Sequence, residues 1–144
     1  MSKVRKSSHT RSWLTVHLIF ATKYRYKVLA GDVQVRCRAL MMQDCNAMDI
    51  RILKGVVSSD HVHMHIEYPP KLSVSEISKQ LKGRSSVKLQ KEYSHLKKRY
   101  WGRRFWSRGF GAFSTGNITD EMVQEYIEGH RKNPNDNSDI FFLD

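Results

Sequence analysis

Three histidines alternate along His61-Val62-His63-Met64-His65. On a β-strand, residues two apart point the same way with Cα atoms roughly 6.5–7 Å apart, so His61 and His63 can converge two imidazoles on one divalent cation. The same alternation also describes the polar face of an edge strand, and both readings stand. Tyr126 and His130 lie four residues apart, with Met122 one turn earlier. On a helix they share a face, where a phenol able to act as a nucleophile would sit beside a further metal-capable imidazole. A tyrosine packed in a core above a histidine that favours a helix C-terminus satisfies that spacing equally well.

The elements that must hold these residues can be read from periodicity. Residues 13 to 20 alternate, with Leu14, Val16, Leu18 and Phe20 on one side and Trp13, Thr15, His17 and Ile19 on the other, and predict a strand. Asp32 to Met48 carries Val33, Cys37, Leu40, Met41 and Met42 at helical spacing and leads into a strand over Ile50 to Val57. Ser58-Ser59-Asp60 is a turn, and His61 to Tyr68 alternates strictly until Pro69-Pro70 stops it, so the two strands should form a hairpin. Ser73 followed by Glu76 is a capping box that opens a helix. A short strand over Phe110 to Thr115 precedes a last helix from Thr119 to about Arg131, capped by Thr119 and acidic in its first turn. The order strand, helix, strand, strand, helix, strand, helix predicts an α+β fold. Specifically, it predicts a ferredoxin-like sandwich of mainly antiparallel sheet with helices on one face and the Tyr126 helix at its C-terminal end.

The chain of 144 residues fits a single domain over 1–144, with a basic N-terminal arm at 1–11 and a C-terminal tail at 133–144. That tail ends Ile140-Phe141-Phe142-Leu143, and packing on another subunit would account for it. No apolar run reaches the roughly 18 residues of a membrane span, and no signal core follows the basic start, so the expected location is cytoplasmic. Cys37 and Cys45 lack metal-ligand spacing and are expected as buried free thiols.

The net charge is +11, and its distribution is uneven. From Lys79 to Arg108 eleven basic residues face the single acid Glu92, so this stretch alone carries a net +10. A neutral helix face usually mixes both signs, and a run of one sign points to a polyanionic partner. Lys82, Arg84, Lys88, Arg103, Arg104 and Arg108 are the candidate contacts. Tyr93, Tyr100, Trp101, Phe105 and Trp106 are interleaved with them and can stack on unpaired bases or anchor the segment, with the core role expected for Trp106 and Phe110.

Four motifs in order carry a resemblance. Asp60-His61-Val62-His63 running to Tyr68-Pro69-Pro70-Lys71, Gln80-Leu81-Lys82-Gly83-Arg84-Ser85-Ser86, Phe105-Trp106-Ser107-Arg108-Gly109-Phe110, and Tyr126-Ile127-Glu128 together resemble the single-tyrosine HUH transposases of small bacterial insertion sequences, the IS200-like family. The resemblance covers nearly the whole chain. It implies that His61 and His63 are paired ligands of a divalent metal, Mg²⁺ or Mn²⁺, and that Tyr126 is the nucleophile. The residue one turn beyond the tyrosine, here His130, would complete the metal site. His130 departs from the glutamine that the family carries there, and His65 departs from its usual aliphatic residue, as an extra ligand or, in preference, a donor behind the ligands or a polar surface residue.

The implied reaction is cleavage and rejoining of single-stranded DNA at insertion-sequence ends through a 5′-phosphotyrosine, on DNA folded as a hairpin near the element's end. The resemblance also implies a homodimer in which one subunit's tyrosine helix can complete its partner's histidine site, with Gly116-Asn117 as a candidate hinge. Two alternatives share the pattern: a host-resident relative acting on repeated palindromes, and a catalytically idle hairpin-DNA-binding protein. A rolling-circle replication initiator would be expected to have a longer chain.

Overall fold

A computed structural model describes residues 13–114 and 139–141. The expected helix over 119–131, with Tyr126 and His130, and the 116–117 hinge lie outside the described residues. The first strand, β1, runs Leu14–Ala21, and a 3-10 turn at Lys23–Arg25 follows it. Next come helix α1 (Asp32–Ala47) and the hairpin strands β2 (Arg51–Val57) and β3 (His61–Tyr68). Helix α2 (Val74–Glu92), the short helix α3 (Ser94–Arg99), strand β4 (Gly111–Ser114) and strand β5 (Asp139–Phe141) complete the order.

The sheet order is β4-β1-β3-β2-β5, with every neighbouring pair antiparallel. The first four strands give the ferredoxin-like arrangement expected from the element order. Alternation decides which face is buried. Val16, Leu18 and Phe20 of β1 and Val62, Met64 and Ile66 of β3 enter the core with Val33, Cys37, Leu40 and Met41 of α1 and Ile77, Leu81 and Leu89 of α2. The helices therefore cover one face, and the odd-numbered residues of β3 project from the other.

Helix α2 begins where the capping box places it. Glu76 N–H donates to Ser73 Oγ at 3.0 Å, and Ser73 N–H donates to Glu76 Oε1 at 2.9 Å. The hairpin forms with its turn at Ser58–Asp60, and the register shifts between Ile52 and Lys54, so Leu53 is a bulged residue. The C-terminal strand β5 extends the sheet on the β2 edge, pairing Val56 with Ile140 and Val57 with Asp139. The backbone of residues 139–141 thus pairs with β2 of its own chain. Cys37 and Cys45 are buried free thiols, their pKa values pushed up to about 12 by burial. Among the described residues no helix is long and apolar enough to cross a membrane.

Candidate active site

The histidine strand is not an edge strand. β3 lies between β1 and β2, hydrogen-bonded on both sides. This removes the edge-strand reading of His61, His63 and His65, because a central strand normally fills its faces with apolar residues. Register on β1 places Ala21 opposite His61, Ile19 opposite His63 and His17 opposite His65.

His61 is nearly fully buried, and Asp60 is completely so. His61 Nδ1 donates to Asp60 Oδ1 at 2.9 Å, while Arg25 Nε and an Arg25 terminal nitrogen donate to Asp60 Oδ2 at 3.2 and 2.8 Å. Burial pushes the Asp60 carboxyl up. The hydrogen bond from His61 and the Arg25 guanidinium outweigh that and hold it below the ordinary carboxylate value. With Nδ1 carrying the proton toward Asp60, the lone pair of neutral His61 is on Nε2, the atom a metal would take.

His17, which the sequence reading passed over, joins the cluster. Its Nδ1 lies 3.0 Å from His63 Nε2, so one of the two nitrogens donates to the other, and its ring stacks on His65 at 4.0 Å between centroids. Burial first, then the neighbouring His65 and His63, lower the His17 pKa to about 4, and burial lowers that of His65 as well. His17 is therefore neutral at pH 7. His65 Nε2 is buried with no hydrogen-bond partner among the described residues. Polarity confined to one place could have revealed His17: it is the one histidine of β1, and it occupies the same alternating set as Ile19.

The chemistry of this donor set fits a divalent cation of the first transition row or Mg²⁺ only with additional ligands. Two imidazoles are a partial shell, and among the described residues no three metal-capable side chains are grouped to hold an ion. His130, the third expected ligand, lies outside the described residues, as does Tyr126.

On the helix-bearing side, a groove of about 680 Å³ runs between α2 and the segment 103–110, lined by Lys79, Lys82, Arg103, Arg104, Phe105 and Trp106 among others. Its floor is built from fixed contacts. Lys82 Nζ donates to Ser107 O at 2.8 Å and Gly109 O at 2.7 Å, Gln90 Nε2 donates to Arg103 O at 2.6 Å, and Trp106 Nε1 donates to Ser85 Oγ at 2.8 Å. Burial, then Arg104, lowers the Lys82 pKa. Arg84 donates to Asp44 Oδ1 at 2.8 Å, and Glu92, the only acid between Lys79 and Arg108, is paired with Arg36. Of the candidate DNA contacts, Lys82 and Arg84 thus also hold structure together. Arg103, Arg104 and Arg108 are exposed, and Lys88 is half-buried. Trp106 and Phe105 are core residues and Phe110 packs against the core, whereas Trp101 is 86% exposed.

Residues 10–130 match the profile of the family described as "Transposase IS200 like". The transposase for insertion sequence element IS200 of Salmonella typhimurium is 35% identical over 128 residues, covering 89% of this chain and 84% of that protein. The ISDra2 transposase TnpA of Deinococcus radiodurans is 29% identical over 115 residues, covering 80% and 82%. Among solved structures, a candidate transposase from Deinococcus radiodurans superposes with a TM-score of 0.81 at 26% identity, covering 90% of this chain and all of that one. A REP-associated tyrosine transposase bound to a REP hairpin superposes with a TM-score of 0.55 at 16% identity, covering 92% and 76%, a likeness of fold alone.

Proposed function

This chain belongs to the family of IS200-like transposases, and from that premise we propose that it cleaves and rejoins single-stranded DNA at the ends of an insertion sequence through Tyr126. The observation that carries this reading is the buried Arg25–Asp60–His61 chain on the central strand, which leaves His61 Nε2 as a ligand atom two residues from His63. A surface histidine has no need of such support.

In the proposed reaction the Tyr126 hydroxyl oxygen attacks the scissile phosphorus, forming a P–O bond to the tyrosine as the bond to the 3′-oxygen breaks. The tyrosine gives up its proton, the departing 3′-oxygen takes one, and the 5′ side remains as a phosphotyrosine. A 3′-hydroxyl of a second strand end then attacks that phosphorus and releases the tyrosine, so rejoining needs no ATP. A divalent ion, Mg²⁺ or Mn²⁺, held by His61, His63 and His130 would polarise the scissile phosphate and offset the charge that develops on it. The chain's own contribution there is a pair of imidazoles carried side by side on a central strand.

The groove beside α2 supports a DNA partner, because Lys79, Lys82, Arg103 and Arg104 line it and none of its described lining residues is acidic. A hairpin near the element end, a homodimer and an active site completed in trans belong to the same proposal. Identities of 35% and 29% to insertion-sequence transposases favour the mobile-element reading over a host-resident relative acting on palindromes. The intact histidine support argues against an idle binding protein.

The test uses labelled single-stranded DNA carrying the element ends, with Mn²⁺ or Mg²⁺, and compares the native protein with Tyr126→Phe on a denaturing gel. A covalent adduct that the substitution abolishes is the expected result. Intact DNA binding with no adduct on the correct ends would overturn the enzyme reading.

A further inference from the structure

The turn after β1 is strained where nothing in the sheet requires it. Tyr24 and Arg25 both adopt left-handed backbone, with φ of 64° and 55°. Neither is glycine, so both hold a conformation that L side chains disfavour. The surroundings hold the turn in place. Thr22 N–H donates to Asp60 O, Thr22 Oγ1 donates to Tyr26 O, and Lys23 N–H donates to Phe105 O, at 2.9, 2.8 and 2.8 Å. The result of this distortion is the position of one side chain: Arg25, 5% exposed, reaches under the hairpin turn to grip the fully buried Asp60.

A carboxylate removed from water is destabilised unless cations and donors surround it, and a lone Asp60–His61 pair at this depth would leave one carboxylate oxygen unserved. Arg25 serves Oδ2, leaving Oδ1 to His61 Nδ1. An ionised Asp60 can only accept a hydrogen bond, so Nδ1 must be the protonated ring nitrogen. The ring is thereby fixed in both tautomer and rotation. His63 meets the ring of His17, with His63 Nε2 3.0 Å from His17 Nδ1.

We propose that Arg25 and Asp60 are positioning residues for the DNA-cleaving site: the strained turn holds the guanidinium against Asp60, and Asp60 locks His61 as the Nδ1–H tautomer with Nε2 as its ligand atom. The link to a metal rests on the reading under Proposed function; the link to the tautomer does not. His61 is thus held in place before any ion arrives. Among the described residues, Arg25 and Asp60 face His61, and Ala21 is its partner across the strand pair.

The experiment has two readouts. The first is the ¹⁵N spectrum of the histidine ring nitrogens in the metal-free full-length protein, which distinguishes a protonated from a lone-pair nitrogen at His61. The second is Mn²⁺ titration followed by electron paramagnetic resonance, with no DNA present. In the native protein His61 should be the Nδ1–H tautomer. Asp60→Asn should populate the other tautomer and weaken Mn²⁺ binding about 10- to 100-fold, the usual effect of removing a residue that orients a ligand. Arg25→Lys should keep the native tautomer, because one charged donor still serves Oδ2, and retain most of the affinity. Arg25→Gln should lose more.

A native His61 protonated on Nε2 overturns the proposal, and so does a folded Asp60→Asn protein that binds Mn²⁺ within about twofold of native. If Asp60→Asn does not fold, the native tautomer and the Lys-against-Gln contrast at Arg25 still decide. His61→Ala separates the two readings. Mn²⁺ binding that survives His61→Ala refutes the metal reading, while the tautomer spectra continue to test the clamp.

Discussion

The basic segment depends on one indole. Trp106 is 3% exposed, its Nε1–H donates to Ser85 Oγ at 2.8 Å, and its ring meets Phe20 and Phe105 edge-to-face, each at 4.8 Å between centroids. Trp106→Phe removes the hydrogen bond, a net loss of about 1 kcal/mol, and leaves a void where the fused ring was, adding about 1–2 kcal/mol. The expected loss is therefore about 2–3 kcal/mol, a large share of the 5–15 kcal/mol typical of a domain. Ser85→Ala should cost about 1–2 kcal/mol because it buries an indole N–H without a partner. In the double variant that donor is absent, so the two losses should fall short of additivity by about 1 kcal/mol.

Urea unfolding followed by far-ultraviolet circular dichroism reads these values without relying on tryptophan emission. With a slope of about 2 kcal/mol per molar, Trp106→Phe should lower the midpoint by about 1–1.5 M. A midpoint change below about 0.3 M, or strict additivity of the pair, would refute the anchoring argument. DNA binding at low temperature should survive, since Arg103 and Arg104 are exposed and supply the charge.

Three further outcomes follow from the same geometry. His17 has its pKa lowered from 6.5 to about 4, so the folded state resists its protonation. Stability of the metal-free protein should be full above pH 6.5 and fall as pH drops toward 4, with a ceiling of about 3 kcal/mol that solvent at the ring edge reduces to about 1–2. His17→Phe should flatten thermal melts over that window, leaving the smaller contribution of His65. The double variant Arg103→Ala/Arg104→Ala should lower the slope of log affinity against log salt by about 1–2 on single-stranded DNA with little change in melting temperature; an unchanged slope would remove these residues from the interface. Lys82→Met should cost about 1–2 kcal/mol in stability, besides any loss of DNA affinity, because Ser107 O and Gly109 O lose a charged donor.

Much of the architecture was legible because it is local. Period-two alternation marks β1 and β3 and tells which residues face the helices, since a strand has only two faces. The Ser73–Glu76 box marks the start of α2, because the atoms that cap a helix lie within one turn of each other. The run of cations from Lys79 to Arg108 announces a polyanion whatever the fold. The candidate ligands His61 and His63 also come from spacing within a single strand.

What only the tertiary structure decided are pairings across distance. Alternation cannot say whether a strand is an edge or a centre, because that is set by partners 46 residues away, as His17 is from His63. Arg25 and Asp60 are 35 residues apart and meet only because β1 and β3 pair with Ala21 opposite His61. The double role of Lys82 is hidden for the same reason, its acceptors lying 25 and 27 residues onward. The tail at 139–141 carries no signal of its partner, since a three-residue strand has too little period to specify an edge, and backbone hydrogen bonds to β2 choose it. Residue type and short spacing thus set which chemistry this chain can carry; register and burial set which nitrogen of His61 is able to carry it.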